Sequence, residues 1–364
     1  MRCPGATLEG TRSAEDGLAA TLKDVAQRAG VSVKTVSNVV HGYAHVRAEV
    51  RERVEKTIIE LNYLPNVAAR NLRTGRSGII ALALPELDAP YFGELARLVV
   101  KAAEERSWTV LIDQTDGIRT RELLVAEGIR EQLIDGVIFS PRALGAAELA
   151  ERVHVDRTPM VLLGERIHGG FADHVAIDNV AAAQTAVLHL AELGRRRIAA
   201  IGADRAESSP AAHLRLEGYR LGLRQSDLAV DDVLVVPTAE LHRMDGAEAM
   251  AQLLDLARPP DAVFCFNDLV ALGALRTLIQ RGVRIPDDVA IVGFDDIEDG
   301  RFSTPTLTTI SPDKEQIARV AVSLLLDRLD GRTGAPPQEI RADYRLIPRE
   351  STLGQDAERA NPEA

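Results

Sequence analysis

The first regular pattern of apolar positions begins at Thr21. Leu22, Val25, Ala26 and Ala29 recur at helical spacing, with Lys23, Asp24, Gln27 and Arg28 between them. Thr21 is placed to cap this helix, Asp24 lies in its positive first turn, and Gly30 suits a left-handed C-cap. Ser32 then caps a second helix with Val36, Val39 and Val40 on one face. The connection Gly30-Val31-Ser32 has the length of the turn in a helix-turn-helix. His41-Gly42-Tyr43 breaks the second helix, and a third follows with Val46, Val50, Val54, Ile58 and Leu61 on one face, stopped by Pro65.

From Gly78 the pattern changes to short apolar runs separated by helical ones. Strands are expected at residues 79–84, 109–112, 137–139, 160–163, 198–201, 233–236, 262–266 and 290–294. Helices are expected at 92–106, 181–193, 214–224 and 269–281. This alternation predicts parallel sheets covered by helices, in two units between Gly78 and Pro348. Residues 1–20 and 351–364 carry no periodic pattern and are expected to be disordered.

Charge sharpens this division. The net charge of -11 argues against a nucleic-acid partner until its distribution is read. Residues 21–76 hold ten Lys and Arg against five Asp and Glu, whereas the remainder holds 33 against 49. A basic head on an acidic body means that one end alone suits phosphate. No apolar run spans a bilayer, and the first twenty residues lack a signal peptide's apolar centre, so the chain is expected in the cytoplasm. Cys3 and Cys265 cannot build a disulfide framework or a zinc site by themselves. No nucleophile elbow, phosphate loop or GxGxxG follows a strand, so no catalytic residue, metal or cofactor is expected.

The run from Thr21 to Ser32, with Thr35-Val36-Ser37 and Leu61-Asn62-Tyr63-Leu64-Pro65-Asn66, resembles the lactose/galactose repressor family of bacterial transcriptional regulators. A recognition helix places its N-terminal residues against base edges. Here those are Val33 and Lys34, with Asn38 one turn on. Lys34 can donate to guanine, Asn38 can pair with adenine, and Val33 can meet a thymine methyl. Many relatives carry Arg at the place of Asn38, so that base read departs from theirs. Thr21, Ser32, Thr35, Ser37 and Tyr63 offer hydroxyls for phosphate oxygens. His45 matches a backbone-touching position of the family. Residues 67–77 resemble its hinge helix and linker, with Ala69 and Leu72 at the minor groove and Leu72 as an apolar wedge.

The body resembles the periplasmic sugar-binding fold, two parallel-sheet halves around a cleft. The implied halves are about 78–177 with 311–337, and about 178–310 with 338–350; residues 339–348 are expected to close the second sheet. In such sheets ligands lie beyond the C-terminal strand ends. Reading those ends selects Asp88, Tyr91, Phe92, Ser140, Glu165 and Arg166. The resemblance adds Arg215, Asn267 and Asp295 as effector contacts, while Asp268 and Asp296 are expected to cap helices. The implied function is a ligand-responsive repressor, a homodimer on a palindromic double-stranded operator, switched by a small molecule, with a carbohydrate ranked first. A sugar receptor without DNA function and a corepressor-dependent regulator sensing a purine or other metabolite stay open.

Overall fold

The computed structural model describes residues 20–40, 43, 45–63, 76–127, 133–152, 158–164, 170–204, 209–331 and 336–354. They form two compact units divided after Gly75. The expected disorder of residues 1–19 and 355–364, and the hinge residues Ala69 and Leu72, lie outside the described residues.

Among its described residues the first unit contains three helices: α1 (Leu22–Ala29), α2 (Val33–Val40) and α3 (Ala48–Glu60). Thr21 and Asp24 form a reciprocal capping box at the start of α1, and Gly30 ends it with φ 64. Ser32 Oγ accepts from Thr35 N at 3.1 Å and so caps α2. Val25, Ala26, Ala29, Val36, Val39, Val54 and Tyr63 make the core, against which Ala20 also packs. Helix α3 stops ahead of Pro65, because Asn62 turns into the left-handed region with φ 45.

The second unit holds two six-stranded sheets. Its strands are β1 (Ile79–Leu84), β2 (Thr109–Gln114), β3 (Gly136–Phe139), β4 (Met160–Leu163), β5 (Asp173–Ile177), β6 (Ile198–Ala203), β7 (Val235–Pro237), β8 (Ala262–Cys265), β9 (Ala290–Phe294), β10 (Thr308–Pro312), β11 (Glu339–Ala342) and β12 (Tyr344–Ile347). The helices are α4 (Pro90–Glu104), α5 (Arg119–Ala126), α6 (Ala146–Arg152), α7 (Asn179–Glu192), α8 (Pro210–Gln225), α9 (Arg243–Leu254), α10 (Asp268–Gln280), α11 (Glu298–Arg301), α12 (Lys314–Leu329) and α13 (Glu350–Leu353). The first sheet runs β11-β5-β4-β3-β1-β2, with every pairing parallel. The second runs β12-β10-β9-β8-β6-β7, parallel except where β12 meets β10. The expected doubly layered α/β body is therefore present.

Several boundaries differ from the sequence expectation. The strand expected at 233–236 starts only at Val235, because Asp232–Leu234 close a 3-10 turn capped by Asp231. Residues 339–348 are two strands in different sheets: Glu339–Ala342 joins β5 of the first, and only Tyr344–Ile347 closes the second. Backbone pairing decides this, since β11 satisfies the open edge of β5 before the chain crosses at Asp343. Strand β5 has no apolar run to mark it, because it opens on Asp173 and His174. Both are buried, and Asp173 takes Arg328 Nε and Nη2 at 2.7 and 2.8 Å. The tail expected from 351 starts later, because Ser351 and Thr352 are buried and bonded to Thr308, at 2.8 Å to its amide and 2.7 Å to its hydroxyl. Arg76 and Ser77 belong to the body: Arg76 pairs with Asp330 at 3.0 Å, and Ser77 N donates to Asp135 at 2.8 Å.

The chain passes between the sheets three times, at Asp178, Asp313 and Asp343. Asp178 and Asp313 also cap the helices that follow them. Helix α8 lies so close to α7 that a Cβ on Gly218 would fall 2.2 Å from the Val180 carbonyl oxygen. That contact brings Arg215 of α8 against Asn179, the first residue of α7.

Candidate functional sites: a reading head and a cleft

On α2 the buried Val36 and Val39 fix which side faces out. Val33 and Lys34 are exposed at its N-terminal end, and Asn38, four residues beyond Lys34, is half-buried on the same side. The arrangement presents the three expected base-reading residues together. Thr21, Ser32 and His45 are exposed, and Thr35 and Ser37 half-buried. Thr21 Oγ1 donates to Asp24 at 2.7 Å, and Ser32 and Thr35 share a hydroxyl bond of 2.8 Å, so these hydroxyls also hold the helix starts. Tyr63 is placed differently. It is 6% exposed and belongs to the core of the head, so its ring stabilises the three-helix packing instead of standing at the surface. Its position after α3, beside the turn at Asn62, brings it inward. Arg51 Nη2 donates to the Tyr43 carbonyl at 2.6 Å and ties α3 to the segment after α2.

The body contains a cleft of about 850 Å³, lined from the C-terminal strand ends of both sheets. Tyr91, Phe92, Ser140, Arg215, Asn267 and Asp295 all line it. Asp88 does not. It is exposed in the turn before α4, while the next residues, Ala89 to Phe92, turn towards the cleft. Glu165 and Arg166 lie outside the described residues.

Arg215 is 9% exposed and held on several sides. Its Nε donates to Asn179 Oδ1 at 2.7 Å, its Nη1 donates to the Phe266 carbonyl, and its guanidinium stacks 3.6 Å from the Phe294 ring centre. Asp295 Oδ1 lies 4.0 Å from Nη2. Asn267 caps α10 through Oδ1, 2.8 Å from Val270 N, and donates through Nδ2 to the Leu241 carbonyl at 2.8 Å. Tyr91 and Phe92 meet edge to face at 5.3 Å and share the lining with this polar set. The result is a fixed polar floor beside an aromatic wall, suited to a polar ring.

The expected capping roles of Asp268 and Asp296 are not what the two residues do. Asn267 is the cap of α10. Asp268 is completely buried, accepting from Thr309 Oγ1 at 2.6 Å and Ile297 N at 2.9 Å. Burial, then the negative charge of Asp295, pushes its carboxyl well above the ordinary range, against the pull of those two bonds. Asp296 is bonded to Arg349 at 2.7 Å, Ser311 at 2.9 Å and Arg301 at 3.0 Å. Burial raises its carboxyl, but Arg349, Ser311 and Arg301 together bring it below the usual value. Asp295 and Asp296 have φ 112 and 51, and Lys314 Nζ holds both carbonyls at 2.8 and 3.0 Å. Strain of this kind survives only where several contacts enforce it.

Residues 21–66 match the bacterial regulatory proteins of the lacI family, and residues 187–352 match a periplasmic binding protein-like domain. The HTH-type transcriptional repressor CytR of Escherichia coli (strain K12) is 36% identical over 335 residues, which covers 92% of this chain and 96% of that protein. The chain belongs to the lacI family of bacterial regulatory proteins. Among solved structures, the Lac repressor dimer bound to operator and the anti-inducer ONPF aligns with a TM-score of 0.76 and 27% identity, covering 92% of this chain and 99% of that one. The complex of the transcriptional regulator CelR with cellobiose aligns with a TM-score of 0.68 and 32% identity, covering 91% and 99%. This lacI-family protein is a DNA-binding transcriptional repressor with an effector-binding body.

Four cleft residues of this repressor were not singled out from sequence. Glu86 follows β1, Arg142 follows β3, and Glu240 and His242 follow β7. Arg142 Nη1 bonds Glu86, its Nη2 reaches Glu240 at 3.2 Å, and His242 Nε2 lies 3.6 Å from Glu86. Glu86 and Arg142 belong to the first sheet's loops, Glu240 and His242 to the second's, so the cluster bridges the cleft. The strand-end rule could have found Arg142, which stands two residues after Ser140.

Proposed function

We propose that the chain acts as a homodimer in the cytoplasm, binds a palindromic operator, and is switched by an uncharged carbohydrate in the cleft. The observation that carries this reading is the convergence of Arg215, Asn267, Asp295, Tyr91 and Phe92 on one cleft, in a chain that also presents Val33 and Lys34 on an exposed helix end. The lining supports a neutral ligand, since Glu86 and Glu240 face Arg142, Asp295 faces Arg215, and Asp116 adds a fourth carboxylate. An anion would meet an excess of carboxylates. The cellobiose complex of CelR and the operator-bound Lac repressor dimer support the two partners by analogy. Val33, Lys34 and Asn38 would read bases, Thr21, Ser32, Thr35, Ser37 and His45 would meet phosphates, and Ala69 and Leu72 would enter the minor groove. No catalytic role is assigned to any residue.

Effector binding to one arrangement of the two sheets would shift DNA affinity by a coupling of about 1–3 kcal/mol. The test is selection of operator DNA from a random pool by the full chain, followed by titration with a panel of neutral sugars. A palindromic selected site, with affinity changed by one sugar at saturating concentration, is expected. A sugar that is hydrolysed by the pure protein, or one that binds with no palindrome selected, would refute the reading.

A further inference from the structure

We propose that the bridging cluster at Glu86, Arg142, Glu240 and His242 is a second ligand subsite, which takes the second ring of an uncharged oligosaccharide. The inference rests on the carbohydrate reading of the cleft and specifies its ligand further.

Three observations carry it. The first is size. At about 850 Å³ the cleft lies in the upper part of the range of roughly 300–1,000 Å³ for small-molecule pockets, which drug-sized ligands fill. A single sugar ring is smaller than such ligands and would leave much of the space to water.

The second is that Arg142 is built into place. Its amide donates to Glu122 Oε1 at 2.7 Å, and the amides of Ala143 and Leu144 both donate to Oε2 at 2.9 Å. Glu122 is completely buried, so this carboxylate fixes three consecutive N–H groups in one loop. The aliphatic stem of Arg142 lies on Gly117, where a Cβ would already touch it at 3.4 Å. Gly117 has φ 62, so both its backbone and its lack of a side chain suit this packing. A surface ion pair needs no such support. A group that must meet a ligand in fixed geometry does.

The third is chemistry. The cluster offers two carboxylates, a guanidinium and an imidazole. Carboxylates accept from sugar hydroxyls, and the guanidinium, with five N–H donors in a fixed plane, donates to their oxygens. The guanidinium also supplies the positive charge that two facing carboxylates require. These residues lie on loops after β1, β3 and β7, whereas Asn267 and Asp295 follow β8 and β9. The cleft thus contains two polar sets on different strand ends, which adjoin where Asn267 Nδ2 donates at 2.8 Å to the carbonyl of Leu241, between Glu240 and His242, as neighbouring rings of one ligand would require.

The test uses the full chain with named probes: glucose, galactose, ribose and arabinose as single rings, and cellobiose, maltose, lactose and trehalose as double rings. Binding is read by calorimetry and by the shift in melting temperature, in wild type, Arg142→Gln and Glu240→Gln. Arg142 is 41% exposed at its side chain, and the unliganded melting temperature of each variant checks that the fold is kept. A double-ring sugar is expected to bind most tightly. Each variant should weaken it about tenfold, the loss of one hydrogen bond to a charged group, and leave the best single-ring sugar unchanged. A single-ring sugar that binds as tightly as any double-ring one would overturn the second subsite, while the carbohydrate reading stands. Equal loss for one- and two-ring sugars would also overturn it and make the cluster a plain closing latch. A chain that binds none of the eight sugars would overturn the subsite and count against the carbohydrate reading as well.

Discussion

The reading head and the cleft solve opposite problems. The head is one short stretch, residues 20–63, whose core, seven buried residues among those described, does little more than hold α2 in place. Its chemistry points outward, on consecutive turns of one helix. The cleft is assembled from loops that lie up to about two hundred residues apart in sequence, between Glu86 and Asp295, and its groups point inward against one another. In the head a residue's role follows from its position on a helix. In the cleft, and just behind it, the role follows from the neighbours, as Asn267 in the lining and the buried Asp268 and Asp296 demonstrate. Single changes should therefore act locally in the head and spread through contacts in the cleft.

Arg215→Ala would sharpen that contrast most. It removes a buried cation that contacts Asn179, Phe266, Phe294 and Asp295 at once. We expect loss of detectable sugar binding and a lower melting temperature of the body, of the order of 3–5 kcal/mol for breaking a buried charged set. DNA binding by the head should persist, as measured by fluorescence anisotropy. An Arg215→Ala chain that keeps sugar affinity would show the cleft floor to be structural only.

Lys34→Ala tests the other side. Loss of one good base contact should cost about 1–3 kcal/mol of discrimination between selected and random DNA. Calorimetric melting of the body should not move. Equal losses on both DNAs would make Lys34 a phosphate contact.

Gly30→Ala probes how little the head's core can spare. Gly30 has φ 64 and nothing within 4 Å of an added Cβ, so the cost is conformational alone, about 1–2 kcal/mol. Circular dichroism of the head's transition should register it. A neutral result would mean that α1 can end differently.

The smallest expected effect is a slope. Asp268 has its carboxyl raised by burial and by Asp295, so the folded state holds a proton that the unfolded state releases above the ordinary 3.8. Its contribution to stability is complete below that value and falls as pH rises towards the raised one. Asp268→Asn should flatten that part of the stability profile. An unchanged slope would assign it to other groups.

The same contrast explains what could be read in advance. The caps at Thr21, Gly30 and Ser32, and the outward face of α2, depend on residues within four positions of each other, and the structure has them where spacing requires. The alternation of apolar runs was enough for two parallel sheets. Strand β5 was hidden because its buried Asp173 is satisfied by Arg328, 155 positions away. The split of residues 339–348 depends on which strand edge lies open, and no local pattern encodes that. Arg142 lay within reach of the strand-end rule, but what fixes its loop did not: Glu122 is a buried carboxylate whose partners appear only once α5 and the loop after β3 are packed together.

The central claim is that the two regions are coupled, so that occupation of the cleft changes how the head holds DNA. The most direct measurement is the affinity of the full chain for its selected operator, by fluorescence anisotropy, with and without a saturating sugar that raises the melting temperature of the body. Coupling predicts a change of about five- to hundredfold in wild type and none in Arg215→Ala. A sugar that stabilises the body while operator affinity stays the same would contradict it.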